Sequence, residues 1–179
     1  MNEKELLQLV RAKEDEIRAQ RFESAFFWNR QGNLLLSKDG EVDRITFSDE
    51  ELALMKGAAA THNHPHGWRF AEHDPRRGGH SFSAKDIQLA CQHSLTFLRV
   101  ITPRFRYMMK PPPPGWNERY WKTTLFPEYS RRYEQVKVEL KAKVKTRQIL
   151  QADAEPLFRH EVWVRVARIL RLEYAREEF

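Results

Sequence analysis

The residues with the most chemical promise are His62 and His64, two apart in the run THNHP, and Ser83 and Asp86 in the later run SFSAKDI. On a strand, side chains two apart leave from the same face, so both imidazoles project to one side. Asp86 falls on the first turn of the helix that SFSAKDI begins, and its carboxylate can reach the same point. Two imidazoles and a carboxylate are zinc ligands by type, and three protein ligands leave a fourth position open to water. Zinc would bring the pKa of that water down to about 7. A base that does not bind the metal must then take the proton and return it to a leaving amine. Glu23, on an upstream strand, is the candidate. Ser83, one turn before Asp86, is placed to donate a hydrogen bond to a developing oxyanion. Each part also has a structural reading: His-x-His beside a proline is common on surfaces, and Ser-x-x-Asp is the ordinary pattern of a helix N-terminal cap. The specificity lies in the combination, which brings three ligand types to one edge.

These residues need a frame. Leu6, Leu7, Val10, Ile17 and Phe22 mark the apolar stripe of a helix over Glu3 to Arg21, with Asn2 as its N-cap. SAFFWNRQGNLLLS reads as a β-hairpin around Gln31-Gly32-Asn33. Arg44 to Phe47 alternates like a strand, and Ser48 with Glu51 forms a capping box for a short helix ended by Gly57. AAATHNHP is a strand that runs into a proline. Ser83 caps the next helix, with Ile87, Leu89, Ala90 and Cys91 facing inward. TFLRVITPRFRYMMK makes one or two strands broken near Pro103. Pro111 to Pro114 read as a polyproline II segment and the best boundary in the chain, dividing 1–110 from 111–179. Beyond it the pattern is helical: Tyr129, Tyr133, Val136, Leu140 and Val144 recur at three and four, and a last helix spans about Pro156 to Tyr174. The order implies an α/β (or α+β) fold, a mixed sheet with helices on its flanks and a C-terminal helical extension. No glycine-rich strand-to-helix turn supports a dinucleotide site.

Glu23, then His62-Asn63-His64-Pro65, then Ser83-Ala84-Lys85-Asp86-Ile87 resemble the motif of the JAMM zinc metallopeptidase superfamily. That motif is an upstream Glu, a His-x-His, and a Ser-x-x-Asp that opens the next helix. The wording THNHP…SFS…DI is most similar to bacterial and phage JAB-like domains. The resemblance covers roughly Arg21 to Lys110 and, more loosely, the HEVW run near His160. It implies a curved mixed sheet with flanking helices, zinc on His62, His64 and Asp86, Glu23 as general base and Ser83 at the oxyanion. It also implies a protein or peptide substrate, such as the tail of a ubiquitin-like protein joined to a lysine. One departure is plain: eighteen residues, Pro65 to Phe82, separate His64 from Ser83, more than the family's usual spacing. They include His66, His73, Asp74 and His80, each a candidate for the open metal position or an alternative ligand, in what reads as a flap or specificity loop.

Composition bounds the remaining choices. The chain has 179 residues, 41% of them hydrophobic, enough for a real core. Its longest apolar runs, such as Ala25 to Trp28, are far below the roughly 20 residues of a bilayer span. The charged start MNEKELLQLVRAKEDE is no signal peptide, and the lone Cys91 excludes an internal disulfide or a CxxC knuckle. The expectation is a cytoplasmic protein with no membrane partner. Charge is uneven: 13 Lys and Arg stand against 15 Asp and Glu up to Leu98, and 18 against 10 beyond it, for +6 in all. The basic half has two readings, solvated helix faces or attraction to an acidic partner. In the second, Arg99, Arg104, Arg106 and Lys110 beside Phe105 and Tyr107 would contact phosphates and bases, making a catalytically silent binding module for nucleic acid or a protein assembly. Nucleic acid stands second to a peptide substrate. The letters HNH also spell a nuclease signature, but that site needs a hairpin and helix with differently placed histidines.

Overall fold

A computed structural model describes all 179 residues. Helix α1 (Glu3–Ile17) begins at a reciprocal cap: the Asn2 side chain accepts from the Glu5 N–H at 2.9 Å, and the Glu5 carboxylate accepts from the Asn2 N–H at 2.8 Å. It stops at Ile17, short of Arg21, and Phe22 lies exposed beyond it. Strands β1 (Ser24–Trp28) and β2 (Leu34–Asp39) form the expected hairpin, whose turn uses Gly32 at φ +84°, a conformation that favours glycine. Ser48 and Glu51 cap α2 (Asp49–Leu54) in the same reciprocal way. Strand β3 (Ala59–Asn63) leads into two 3-10 turns, Pro65–Arg69 and Pro75–Gly78, and then α3 (Ala84–Gln92). Strands β4 (Phe97–Ile101) and β5 (Phe105–Lys110) lie on either side of Pro103. Helix α4 (Glu118–Tyr120) continues through a π turn, Trp121–Leu125, into α5 (Phe126–Lys145), and α6 (Gln151–Leu170) and β6 (Glu173–Glu178) follow.

The fold is mixed α/β, with one six-stranded sheet in the order β2-β1-β3-β4-β5-β6. Only β3 and β4 are parallel, because the two turns and α3 carry the chain back between them; every other neighbour is antiparallel. Helices cover both faces. Against one face α1 packs Leu6 and Val10 onto Trp28, Ala59 and Phe97. Against the other, Ala25, Phe27, Ala60, Leu98, Val100 and Met109 meet α3, α5 and α6 in a single core. Residues from both sides of the proline run share that core. Trp163 of α6 is fully buried in it, and its indole N–H donates to the Phe82 carbonyl at 2.8 Å, just before the α3 cap. No helix is long and apolar enough to cross a membrane.

Three local expectations are corrected. Arg44 to Phe47 is not a strand, since it has no ladder partner. It folds back instead, with the Glu41 N–H donating to the Arg44 carbonyl, while Ile45 and Phe47 still pack on the core. The prolines do not run on as polyproline II: the Gly115 N–H closes on the Pro112 carbonyl at 2.7 Å, with Gly115 at φ +83°. The chain beyond them is not all helical, because β6 pairs with β5 from Phe105↔Glu178 to Lys110↔Glu173. Its sequence, EYAREE, hides this, since an edge strand needs only main-chain pairing on one side and tolerates charge.

Beneath α1 lies a buried ion cluster. The Glu14 carboxylate, fully buried, accepts from Arg99 at 2.5 and 3.0 Å and from the Thr61 hydroxyl at 3.1 Å, and pairs with Arg106 at 3.2 Å. Arg106 also pairs with Asp15, and Lys110 with Glu3 and Glu173.

A second, partly buried polar contact makes the fold acid-sensitive. His160 of α6 and the Tyr174 hydroxyl of β6 are 2.8 Å apart. Burial, then the Arg176 charge, push His160 down to about 4, against about 6.5 in an unfolded chain. Above pH 6.5 both states are neutral and nothing changes. Below it the unfolded chain takes up a proton that the folded one refuses, so stability falls between pH 6.5 and 4. His160→Gln should reduce that fall by about 1 kcal/mol, after allowing for solvent screening, in urea titrations at pH 7 and 4.5.

Candidate metal centre

The site is built at the C-terminal end of β3. In the β1–β3 pairing Ala25 stands opposite His62, and both face the larger core. Glu23 lies two residues before Ala25, hence on the same face, and continuing the register places it across from His64. Asn63, between the histidines, points the other way and staples this end. Its side-chain oxygen accepts from the Ser24 N–H at 2.6 Å, and its amide donates to the Phe22 carbonyl at 2.8 Å. Both contacts bracket Glu23 in the chain. No local signal in the sequence marks this role of Asn63, because both of its partners lie about 40 positions away.

Three donor atoms converge. His62 Nε2 and His64 Nε2 are 3.0 Å apart, and the Asp86 oxygens lie 3.5 and 3.7 Å from them. Zinc–nitrogen bonds of about 2.0–2.1 Å in a tetrahedron put ligand atoms about 3.3 Å apart, so the set fits that ion. His64 Nδ1 lies 3.0 Å from the His80 carbonyl. A carbonyl only accepts, so this nitrogen carries the proton and Nε2 is left with its lone pair facing inward. Asp86 is held by the α3 cap: the Ser83 N–H donates to its carboxylate at 2.6 Å, and Ser83 Oγ accepts from the Asp86 N–H at 3.2 Å. Ser83 therefore performs the capping role, and it also lines the cleft beside Asp86.

The electrostatics suit a cation. Burial pushes His64 down to about 4, with His62 adding to the shift. Burial also opposes charge on His62, but Asp86 and Glu23 outweigh it and raise its pKa. Burial opposes ionisation of Asp86 as well, yet His62, His64 and the Ser83 N–H hold it far below the carboxylate range. Burial raises Glu23 to about 7, against the pull of His62 and Arg159 and with a push from Asp86 and Asp43. Glu23, His64, Ser83, Asp86 and Arg159 line one cleft of about 500 Å³. A neighbouring groove of about 580 Å³ shares His80, Ser83 and Arg159 with it and runs on between Tyr129, Tyr133 and Phe158.

The 65–82 segment does not project as a flap. Trp68 donates to the Arg18 carbonyl at 2.8 Å, Arg77 donates to the Phe70 carbonyl at 2.8 Å, and a Cβ on Gly67 would strike the Arg77 carbonyl. Of its candidate ligands, Asp74 is engaged by Arg76 and His73 is exposed. His66 and His80 gather instead with Glu155 of α6. Glu155 and Arg159 come from a helix distant in sequence, and no local signal marked them. Three of the cations of β4 and β5 are paired within the chain, Arg99 and Arg106 with Glu14 and Lys110 with Glu3 and Glu173, while Arg104 between the strands donates to the Glu72 carbonyl at an exposed position.

Comparison with protein-family models, with curated proteins and with solved structures finds no match to this chain.

Proposed function

We propose that this chain is a zinc-dependent peptidase or isopeptidase of the JAMM type, cutting an amide bond in a protein or peptide tail. The observation that carries the reading is the meeting of His62 Nε2, His64 Nε2 and the Asp86 carboxylate at 3.0–3.7 Å, in a cleft that also holds Glu23. His62, His64 and Asp86 would hold the ion. The chemistry zinc supplies when bound is Lewis-acid activation of water, whose pKa falls to about 7.

The remaining work belongs to side chains. Glu23 takes a proton from the attacking water as its oxygen bonds to the amide carbon. It then gives that proton to the leaving nitrogen as the C–N bond breaks, leaving a carboxylic acid and an amine, and the acid passes its proton on to give a carboxylate and an ammonium. A carboxyl whose pKa is raised toward neutrality suits both transfers. The Ser83 hydroxyl donates to the oxygen that gains charge, while its own oxygen stays fixed by the α3 cap. Arg159 and the groove beside it offer a cation and aromatic walls to the substrate on one side of the metal cleft. A ubiquitin-like tail is the substrate this reading favours, and the cytoplasm its compartment.

The reading is tested by metal content. Wild-type protein purified without chelator should carry zinc on these ligands, and His62→Ala with His64→Ala should lose that equivalent. Chelation should also lower the melting temperature of the wild type, since an ion bound only by the folded state stabilises it. Zinc that persists at the wild-type level in the double variant would remove the proposal.

A further inference from the structure

We propose that His66, His80 and Glu155 form a second metal site, for a divalent transition ion of the zinc class, clasping the 65–82 segment to α6. Their donor atoms all lie within 4.8 Å of one another, and none of the three belongs to the His62/His64/Asp86 set. The His66 and His80 rings stack with centroids 5.6 Å apart and planes inclined by 28°, and His80 Nε2 is 3.8 Å from a Glu155 oxygen.

The hydrogen bonding of these side chains agrees with the geometry. His80 Nδ1 is buried without a hydrogen-bond partner, and the other ring nitrogen, Nε2, lies 3.8 Å from Glu155, too long for a hydrogen bond. Neither His66 nor the Glu155 carboxylate takes part in any side-chain hydrogen bond, though both are partly buried. Folded chains seldom leave buried polar groups unpaired. Three partly buried ligand-type side chains with no side-chain hydrogen bond thus meet within 4.8 Å, and an ion between them would satisfy all three. Closing the set to coordination distance needs about an ångström of side-chain rotation. Glu155, more than a third exposed, has room to make that movement.

The donors also select the ion. Two imidazoles and one carboxylate suit zinc, cobalt or nickel, whereas calcium and magnesium seek several anionic oxygens. Arg159 acts on His80, and Arg76 lies within the influence of Glu155. An ion here would anchor His80, whose main-chain carbonyl orients His64. The second site would thus steady the first without sharing a ligand with it.

The test is a titration of untagged, chelator-stripped full-length protein with zinc by calorimetry, and with cobalt by visible absorption. Wild type should bind two equivalents. His66→Ala and Glu155→Gln should each weaken one of them by about 100-fold or more, while His62→Ala with His64→Ala keeps that one. A wild type that binds a single equivalent surviving both His66→Ala and Glu155→Gln would overturn the proposal. A single equivalent lost in Glu155→Gln and kept in His62→Ala with His64→Ala would support it and remove the metal from the hydrolase reading instead. No binding at all would overturn both.

Discussion

Glu23→Gln is expected to keep zinc at the wild-type level while amide hydrolysis falls about 10²–10⁴-fold, the usual contribution of a positioned general base. Glutamine preserves the size and polarity of the side chain but cannot accept and return a proton. Glu23 lies outside the three-ligand set, so metal content should not follow activity down. Turnover of a fluorogenic peptide pool, with zinc measured by emission spectroscopy on the same samples, separates the two. The pH profile offers a second check. Glu23 must be ionised to take the proton, so the wild-type rate should climb as pH rises through its pKa. That limb should lie at or below about 7, because a bound cation lowers a neighbouring carboxyl. Wild-type turnover by Glu23→Gln would dismiss Glu23 as the base.

Glu14→Ala should destabilise the fold by about 3–5 kcal/mol, read as a lower urea midpoint at unchanged slope. The size follows from what remains behind. Arg99 is almost wholly buried in the central strand β4, and its guanidinium has Glu14 as its carboxylate partner. Arg106 loses one of its two carboxylates and can lean on Asp15. Removing one member of a buried pair strands the other's charge, whereas removing both members costs far less. Glu14→Leu combined with Arg99→Met should therefore recover most of the loss. A change below about 1 kcal/mol for Glu14→Ala would show that the Glu14–Arg99 pair contributes little to holding α1. The cluster also accounts for much of the basic excess near β4 and β5: charges that look available to phosphate along the sequence are neutralised by α1 and β6.

What could be read without the structure is what short-range rules govern. The caps at Asn2, Ser48/Glu51 and Ser83/Asp86 involve residues three apart, so local chemistry decides them and each N-cap forms as expected, Asn2 with Glu5 as its reciprocal partner. The same holds for His62 and His64, whose shared direction follows from strand geometry alone. Where a partner is remote, the sequence is silent. Glu14 sits among solvated acids on α1 and looks like one of them, until β4 brings Arg99 beneath it from 85 positions away. Strand β6 carries almost no apolar signal because the edge of β5 defines it. Glu23 is one acid among 25 Asp and Glu until the β1–β3 register and the Asn63 staple carry it to the end of the sheet that bears the histidines. The extra length of 65–82 reads as a loop, and only packing against α6 turns His66 and His80 toward Glu155. By itself the sequence determined which residue types could hold a metal and how each element starts. Tertiary structure alone decided which of them share a cleft, because that depends on strand register and helix packing between segments far apart in the chain.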